Sequence, residues 1–102
     1  MEYRRLGKSG LQVSVLSFGS WVTFGKQIED NTADELMSIA YDNGVNFFDN
    51  AEIYSRGKSE TVMGSILKKK GWARSSYCVS SKVYFGYEDS KPNQTGLSRK
   101  HV

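Results

Sequence analysis

The sequence predicts an α/β fold built on a parallel sheet, and three observations support this. Short β-branched and aromatic runs alternate with segments whose apolar residues recur at helical spacing. An Asn-Gly pair at residues 43 and 44 ends one predicted helix and leads directly into a strand, as in βαβ units. Polar residues follow the predicted strands at their carboxyl ends, where functional groups of such sheets lie. We therefore expect right-handed crossovers with a site at that edge.

The first part of the chain is predicted to be a hairpin, a strand and a loop. Two short strands, around Glu2–Leu6 and Leu11–Val13, flank Gly7-Lys8-Ser9-Gly10, whose small residues permit a hairpin turn. Ser14–Phe18 is the next predicted strand. A polar and aromatic loop then runs to about Glu29.

The first helix and the second strand of the predicted parallel sheet follow. Side-chain oxygens in Asp30-Asn31-Thr32 can cap the helix, and Asn43-Gly44 can end it. Val45–Phe48 is a short apolar run with the character of a buried strand. The apolar stripe of the helix consists of Leu36, Met37, Ala40 and Tyr41.

The remaining sequence predicts a second helix, a third strand, a long loop and the start of a third helix. Ser59 is the predicted N-cap of the second helix, and Gly71 ends it. Tyr77–Ser81 is the third strand, and Val83–Thr95 is a polar loop without a period. Gly96-Leu97-Ser98 begins a third helix that has only its first turn in this sequence. The apolar stripe of the second helix consists of Val62, Met63, Ile66 and Leu67.

Length, charge and composition limit the function classes. The 102 residues are enough for one domain. The net charge of +3 is modest, and the dense basic run Lys68–Lys70 falls at a predicted helix end, so we expect no nucleic-acid binding. No apolar stretch approaches the roughly 20 residues of a membrane span, and no signal-peptide core is present. We expect a cytoplasmic protein with no direct membrane insertion, no disulfide from its single Cys78 and no metal site.

Three polar residues come at or after the carboxyl ends of the last two predicted strands. Asp49 directly follows Val45–Phe48, Tyr54 lies five residues further on, and Lys82 follows Tyr77–Ser81. Each alone has an ordinary structural explanation, because Asp favours turns and a tyrosine or lysine near a strand end commonly packs or is solvated. Carboxyl ends of parallel strands share one edge, so the three together indicate a site.

Several motifs in this order resemble the first third of aldo-keto reductases. They are Gly19-Ser20-Trp21, the run FFDNAEIYSRGKSETVMG over Phe47–Gly64, and Val79-Ser80-Ser81-Lys82. Within that superfamily the chain is most similar to the branch of the voltage-gated potassium channel β-subunits and their bacterial and plant relatives. That similarity lies in Trp21-Val22-Thr23-Phe24-Gly25, Lys69-Lys70-Gly71-Trp72 and Gly96-Leu97-Ser98-Arg99-Lys100-His101.

The resemblance implies a (β/α)8 TIM barrel. Residues 1–102 would hold its N-terminal hairpin, its first three strands with the two helices between them, and the start of the third helix. It also implies an NADPH-dependent oxidoreductase that reduces aldehydes or ketones to alcohols. Tyr54 matches the general acid of the family, Lys82 the lysine beside it, and Asp49 the aspartate paired with that lysine.

The resemblance also implies a binding site for NADP(H). Ser20, Trp21 and Gln27 match positions at which the channel-subunit branch meets its cofactor, and Asp49 also contributes there. A histidine in reductases, often an asparagine in channel subunits, belongs to the fourth strand of the family, which this sequence does not contain. His101 precedes that strand and does not match this residue.

The three matched residues suit carbonyl reduction, which places a hydride on carbon and a proton on oxygen. A phenol has an ordinary pKa of about 10 and is a weak donor at neutral pH, but an adjacent ammonium makes a phenol more acidic. Lys82 would supply that ammonium to Tyr54, and Asp49 would keep it charged and oriented. Trp21 offers a flat apolar wall for a ring or a substrate, and the cofactor delivers the hydride.

Three hypotheses about function follow. The chain is the N-terminal segment of a reductase acting on a small carbonyl substrate. Alternatively, it belongs to a cytosolic regulatory subunit that binds NADP(H), with a homo-tetramer and a membrane channel as its possible partners. A third possibility is a truncated chain without activity.

Overall fold

A computed structural model describes residues 1–102, which form two small sheets and two helices. Strands β1 (Tyr3–Arg5) and β2 (Gln12–Ser14) pair antiparallel as the predicted hairpin. Strands β3 (Phe18–Gly19), β4 (Phe47–Asp49) and β5 (Cys78–Ser80) form a parallel sheet in that order. The sheet confirms the predicted α/β architecture, and both of its outer strands have an open edge, so these residues form a small α/β unit and not a closed barrel.

Two helices of 13 residues each connect the parallel strands. Helix α1 (Asp30–Asp42) links β3 to β4, and helix α2 (Lys58–Lys70) links β4 to β5. A tight turn at Tyr54–Gly57, with left-handed backbone angles at Ser55 and Arg56, precedes α2, and a short 3₁₀ turn at Arg74–Ser76 precedes β5. Neither α-helix has the length and apolar character of a membrane-spanning helix.

The predicted strand Ser14–Phe18 is wrong over most of its length. Ser14 ends the hairpin instead, and its Oγ donates to the Leu16 carbonyl oxygen at 2.6 Å, which bends the chain. Its N–H donates to Asn46 Oδ1 at 2.8 Å. These two bonds, one local and one to a residue 32 positions away, engage the Ser14 N–H and the Leu16 carbonyl oxygen that a strand would use. Pairing in the parallel sheet therefore begins only at Phe18.

Both predicted helix N-caps are also wrong. Helix α1 starts at Asp30 after an N-cap at Glu29, without a side-chain capping bond. Helix α2 starts at Lys58, because Gly57, the last residue of the tight left-handed turn, takes the N-cap position at φ +85°. Ser59 therefore lies inside the first turn, where it is fully buried.

The second and third parallel strands are displaced or shortened relative to the predictions. The predicted Val45–Phe48 is observed as Phe47–Asp49, because the N–H of Val45 still bonds to the α1 end at Ala40 O (3.0 Å). The predicted Tyr77–Ser81 is observed as Cys78–Ser80. The predicted loop 83–95 contains no helix or strand, whereas residues 98–102 form only a single turn, with Ser98 Oγ accepting from the N–H of His101 at 3.3 Å.

The hydrophobic core lies between the parallel sheet and the two helices. Phe48 of β4 is fully buried, and Trp72 packs on Tyr41 with ring centroids 3.8 Å apart. Leu36, expected on the buried stripe of α1, is instead 42% exposed, and Ala33 takes its place. The buried core residues are Phe24, Ala33, Met37, Val45, Phe48, Met63 and Ile66.

Candidate active site

Asp49, Tyr54 and Lys82 converge at the carboxyl edge of the parallel sheet, and we call them the polar triad. Lys82 Nζ lies 2.8 Å and 2.7 Å from the two carboxylate oxygens of Asp49. The same nitrogen lies 3.4 Å from Tyr54 Oη and 5.1 Å from the centroid of the Tyr54 ring. It also donates to the Asn50 carbonyl oxygen at 2.7 Å. One ammonium therefore connects a carboxylate and a phenol.

The sheet register brings the acid and the amine together. Asp49 is the last residue of β4 and pairs with Gly19 on one side and Ser80 on the other. Lys82 lies two residues beyond Ser80, and successive side chains of an extended chain alternate in direction. Lys82 therefore reaches back to Asp49 from the same side of the chain as Ser80, which donates from Oγ to Asp49 Oδ1 at 2.5 Å.

The turn after β4 brings in the phenol. The N–H of Tyr54 donates to the Ala51 carbonyl oxygen at 3.1 Å, which closes a tight turn directly after the strand. Ser55 and Arg56 then adopt left-handed backbone angles with φ of 50° and 53°. Left-handed angles cost non-glycine residues free energy, and such residues cluster at functional sites. This turn places Tyr54 beside Lys82.

The electrostatics of the triad keep both charged groups ionised. Partial burial disfavours the charge on Asp49, but hydrogen bonds from Lys82 and Ser80 outweigh it and lower the pKa of the carboxyl. Partial burial likewise opposes the charge on Lys82, but hydrogen bonds to Asp49 and Tyr54 raise the pKa of the ammonium. Lys82 therefore stays a cation beside the phenol across the neutral pH range.

Two further groups around the triad were not identified from the sequence. Ser80 binds Asp49 through its hydroxyl, and its position two residues before Lys82 was an available signal, because both point to one side of the strand. Asn50 binds Lys82 through its backbone carbonyl, which any residue could supply, so the sequence carries no signal for it. Its own side chain is buried, and its Oδ1 accepts from the Ala51 N–H.

The predicted cofactor positions are found at different places. Trp21 is 68% exposed, and its ring stacks on Tyr54 with centroids 6.3 Å apart. Ser20 is fully buried, and its Oγ donates to the Asp49 carbonyl oxygen at 2.9 Å. Gln27 is exposed in the same loop but does not line the cleft beside Tyr54. The structure thus brings Trp21 to the triad, uses Ser20 to hold β4, and leaves Gln27 outside the cleft.

Two spaces adjoin Tyr54. A wide cleft of about 740 Å³ extends from Trp21 past Tyr54 to Lys26 and Lys58. A small, mostly apolar cavity of about 140 Å³ has Tyr54 and Lys82 on its wall. Its other lining residues include Ala51, Ile53, Tyr84 and Phe85. Tyr54 therefore lines both an open cleft and a small, mostly apolar cavity.

Comparisons with known proteins show the family of this chain. Residues 15–102 match the model of the aldo/keto reductase family. The fold is similar to that of the aldo-keto reductase AKR11C1 from Bacillus halodurans, solved in its holo form, with a TM-score of 0.73 and 32% sequence identity. The match covers 90% of this chain and 29% of that protein, so the chain spans less than a third of the length of this similar structure.

Proposed function

Since the chain belongs to the aldo/keto reductase family, we propose that it forms the N-terminal part of a (β/α)8 barrel that reduces aldehydes or ketones with NADP(H). The observation that carries the proposal is the position of Lys82 Nζ, 2.7 Å from a carboxylate oxygen of Asp49 and 3.4 Å from Tyr54 Oη. An ammonium held by a carboxylate and directed at a phenol suits proton donation to a carbonyl oxygen.

Each residue of the polar triad has a distinct role in this proposal. Tyr54 donates its proton to the carbonyl oxygen of the substrate. Lys82 stabilises the phenolate that remains, because its positive charge lies next to the phenol oxygen. Asp49 fixes the orientation of that ammonium with two hydrogen bonds and keeps it charged. The hydride for the reduction comes from the bound cofactor.

The residues on the cleft fit a nicotinamide cofactor. The exposed Trp21 ring provides a flat apolar surface for a planar ring, and its plane is tilted by 29° from that of the Tyr54 ring. We propose that Trp21 contacts the cofactor from the cleft, and that Gln27 and Asp49, which lie outside the cleft lining, contribute to the cofactor site in the complete barrel. Ser20 contributes through β4, because its buried hydroxyl is bonded to the Asp49 carbonyl oxygen.

A turnover assay on the complete barrel tests this function. We expect NADPH to quench intrinsic tryptophan fluorescence on titration and NADPH absorbance to fall when a series of aliphatic and aromatic aldehydes is added. Heat-denatured protein is the control for non-enzymatic oxidation. Binding of NADPH without turnover of any aldehyde would contradict the reductase proposal.

A second candidate is a cytosolic regulatory subunit of the channel β-subunit-like branch. The sequence motifs Trp21-Val22-Thr23-Phe24-Gly25 and Lys69-Lys70-Gly71-Trp72 favour it. This candidate predicts a homo-tetramer that binds NADP(H) tightly and turns carbonyls over slowly or not at all. Light scattering of the complete protein gives the oligomeric state, and a monomer with rapid turnover would exclude this candidate.

A further inference from the structure

We propose that Glu52 is a positioning residue for Lys82. Glu52 lies in the turn between Asp49 and Tyr54. Its backbone bonds to Lys82, and its carboxylate bonds to the residues that follow Lys82 in the chain. The catalytic consequence of this inference depends on the proposed reductase function, whereas its structural part does not.

The backbone of Glu52 continues the sheet past its last residue. The N–H of Asn50 donates to the Ser80 carbonyl oxygen at 2.8 Å, and the N–H of Glu52 donates to the Lys82 carbonyl oxygen at 3.1 Å. This two-residue step is the spacing of a parallel ladder. The hydrogen bond from Glu52 therefore holds the main chain at Lys82 itself, beyond the end of β5.

The carboxylate of Glu52 holds the next four residues. One oxygen accepts from the N–H of Tyr84 and the other from the N–H of Gly86, both at 3.0 Å. Together with the bond to the Lys82 carbonyl, three hydrogen bonds from one residue fix the segment 82–86. These bonds therefore fix the path of the chain from Lys82 into the first residues of the Val83–Thr95 loop.

The environment of the Glu52 carboxylate makes these bonds strong. Its side chain is 15% exposed, and the equally covered His101 ring places Nε2 2.8 Å from Oε1. Hydrogen bonds to a charged acceptor shielded from water are stronger than neutral ones, and removing the acceptor leaves N–H groups without a partner. The position of Gly86 is also restricted to glycine, since its φ is +62° and an added Cβ would clash with the Gln94 carbonyl oxygen.

The consequence for the triad follows from the reach of Lys82. Its Nζ must contact Asp49 and Tyr54 at the same time, so the position of its backbone sets both distances. In this structure the Lys82 side chain is 54% exposed, so its position depends on the hydrogen bonds of Nζ to Asp49 and Asn50 and on the position of the main chain. The hydrogen bonds of Glu52 supply the constraint on the main chain.

Arg56 offers a matched comparison because it holds the same loop at a point further from Lys82. Its guanidinium bonds to Glu88 at 3.1 Å and to Asp89 at 2.8 Å. Loss of Arg56 would loosen the loop without touching the hydrogen bonds to residues 82–86. Because Arg56 also lines the cleft beside Tyr54, the comparison uses the Asp49 titration and not kcat. A change of that titration in the Glu52 variants alone separates positioning of Lys82 from general loosening of the loop.

The test uses Glu52→Ala, the isosteric Glu52→Gln and Arg56→Met in the complete barrel. Both Glu52 variants keep the backbone hydrogen bond to the Lys82 carbonyl oxygen, so they test the part of the constraint that the carboxylate supplies. We expect Glu52→Ala to lower kcat by about 10- to 100-fold, since a misplacement of about 1 Å can cost about 100-fold. Glu52→Gln keeps one carbonyl acceptor, so its effect should be smaller and in the same direction.

A second measurement needs neither cofactor nor activity. The pKa of Asp49 is held low in part by Lys82, so displacement of the lysine should raise it toward its ordinary value, as a carboxyl ¹³C titration would show. We expect this rise in both Glu52 variants and no rise in Arg56→Met. An unchanged Asp49 titration in the Glu52 variants, or an equal change in Arg56→Met, would overturn the inference. A wild-type barrel without turnover would refute the reductase function, while the Asp49 titration would still decide the role of Glu52.

Discussion

Replacing Lys82 by methionine tests the electrostatic role of the ammonium, and the expected fall in kcat can be worked out from the distance between Lys82 Nζ and Tyr54 Oη. Unit charges 3.4 Å apart, the separation of Lys82 Nζ and Tyr54 Oη, interact by about 1.2 kcal/mol in bulk water and about 5 kcal/mol at an effective dielectric constant of about 20. Lys82 is 54% exposed, which favours the lower part of that range. At about 1.4 kcal/mol for each tenfold change in rate, we expect Lys82→Met to lower kcat by about 10- to 100-fold.

The assay is steady-state oxidation of NADPH by an aldehyde with the complete barrel. Lys68→Met, which removes an exposed lysine at the end of α2, is the matched control and should leave kcat unchanged. Lys82→Arg keeps the charge and should restore part of the rate. A Lys82→Met variant with the kcat of the wild type would refute the argument that the ammonium stabilises the phenolate.

Three other predictions concern stability, cofactor binding and pH. Gly86→Ala should lower the free energy of unfolding by about 1 kcal/mol or more in urea titrations, because Gly86 has a left-handed backbone angle. Gly64→Ala inside α2 should raise it by about 0.5–1 kcal/mol. Equal effects of the two substitutions would contradict this assignment of backbone strain to Gly86. Trp21→Ala should weaken NADPH binding by about 0.5–1.5 kcal/mol in a fluorescence titration, and unchanged affinity would remove Trp21 from the cofactor site. The pKa of Asp49 is lower in the folded protein than the ordinary carboxyl pKa of about 3.9, so ionised Asp49 stabilises the fold at pH values above about 3.9. This stabilisation is lost as the pH falls through the pKa of folded Asp49. Asp49→Asn should therefore reduce the pH dependence of the unfolding free energy in that acid range.

The alternation of strands and helices and the meeting of the triad could be predicted because both depend on simple rules. Carboxyl ends of parallel strands share an edge, so Asp49 and Lys82 had to lie near one another once β4 and β5 paired. Tyr54 follows Asp49 within a short turn and cannot lie far from it. Chain connectivity and strand direction were sufficient for this part of the site.

Individual hydrogen bonds and backbone angles could not be predicted from the sequence pattern. The hydroxyl of Ser14 bends the chain where its apolar neighbours favoured a strand. Ser59 has the residue type of an N-cap, but the left-handed turn before it lets Gly57 take that position. The role of Glu52 depends on backbone N–H groups more than 30 residues away, which no local pattern encodes.

Single-turnover reduction by Tyr54→Phe with bound NADPH tests the central claim most directly, because the change removes one oxygen atom from the triad and keeps the ring that stacks on Trp21. We expect NADPH affinity to remain as in the wild type and the rate of aldehyde reduction to fall by about 100- to 10,000-fold, the contribution typical of a general acid. A Tyr54→Phe barrel that reduces the aldehyde at the rate of the wild type would contradict the assignment of Tyr54 as the proton donor.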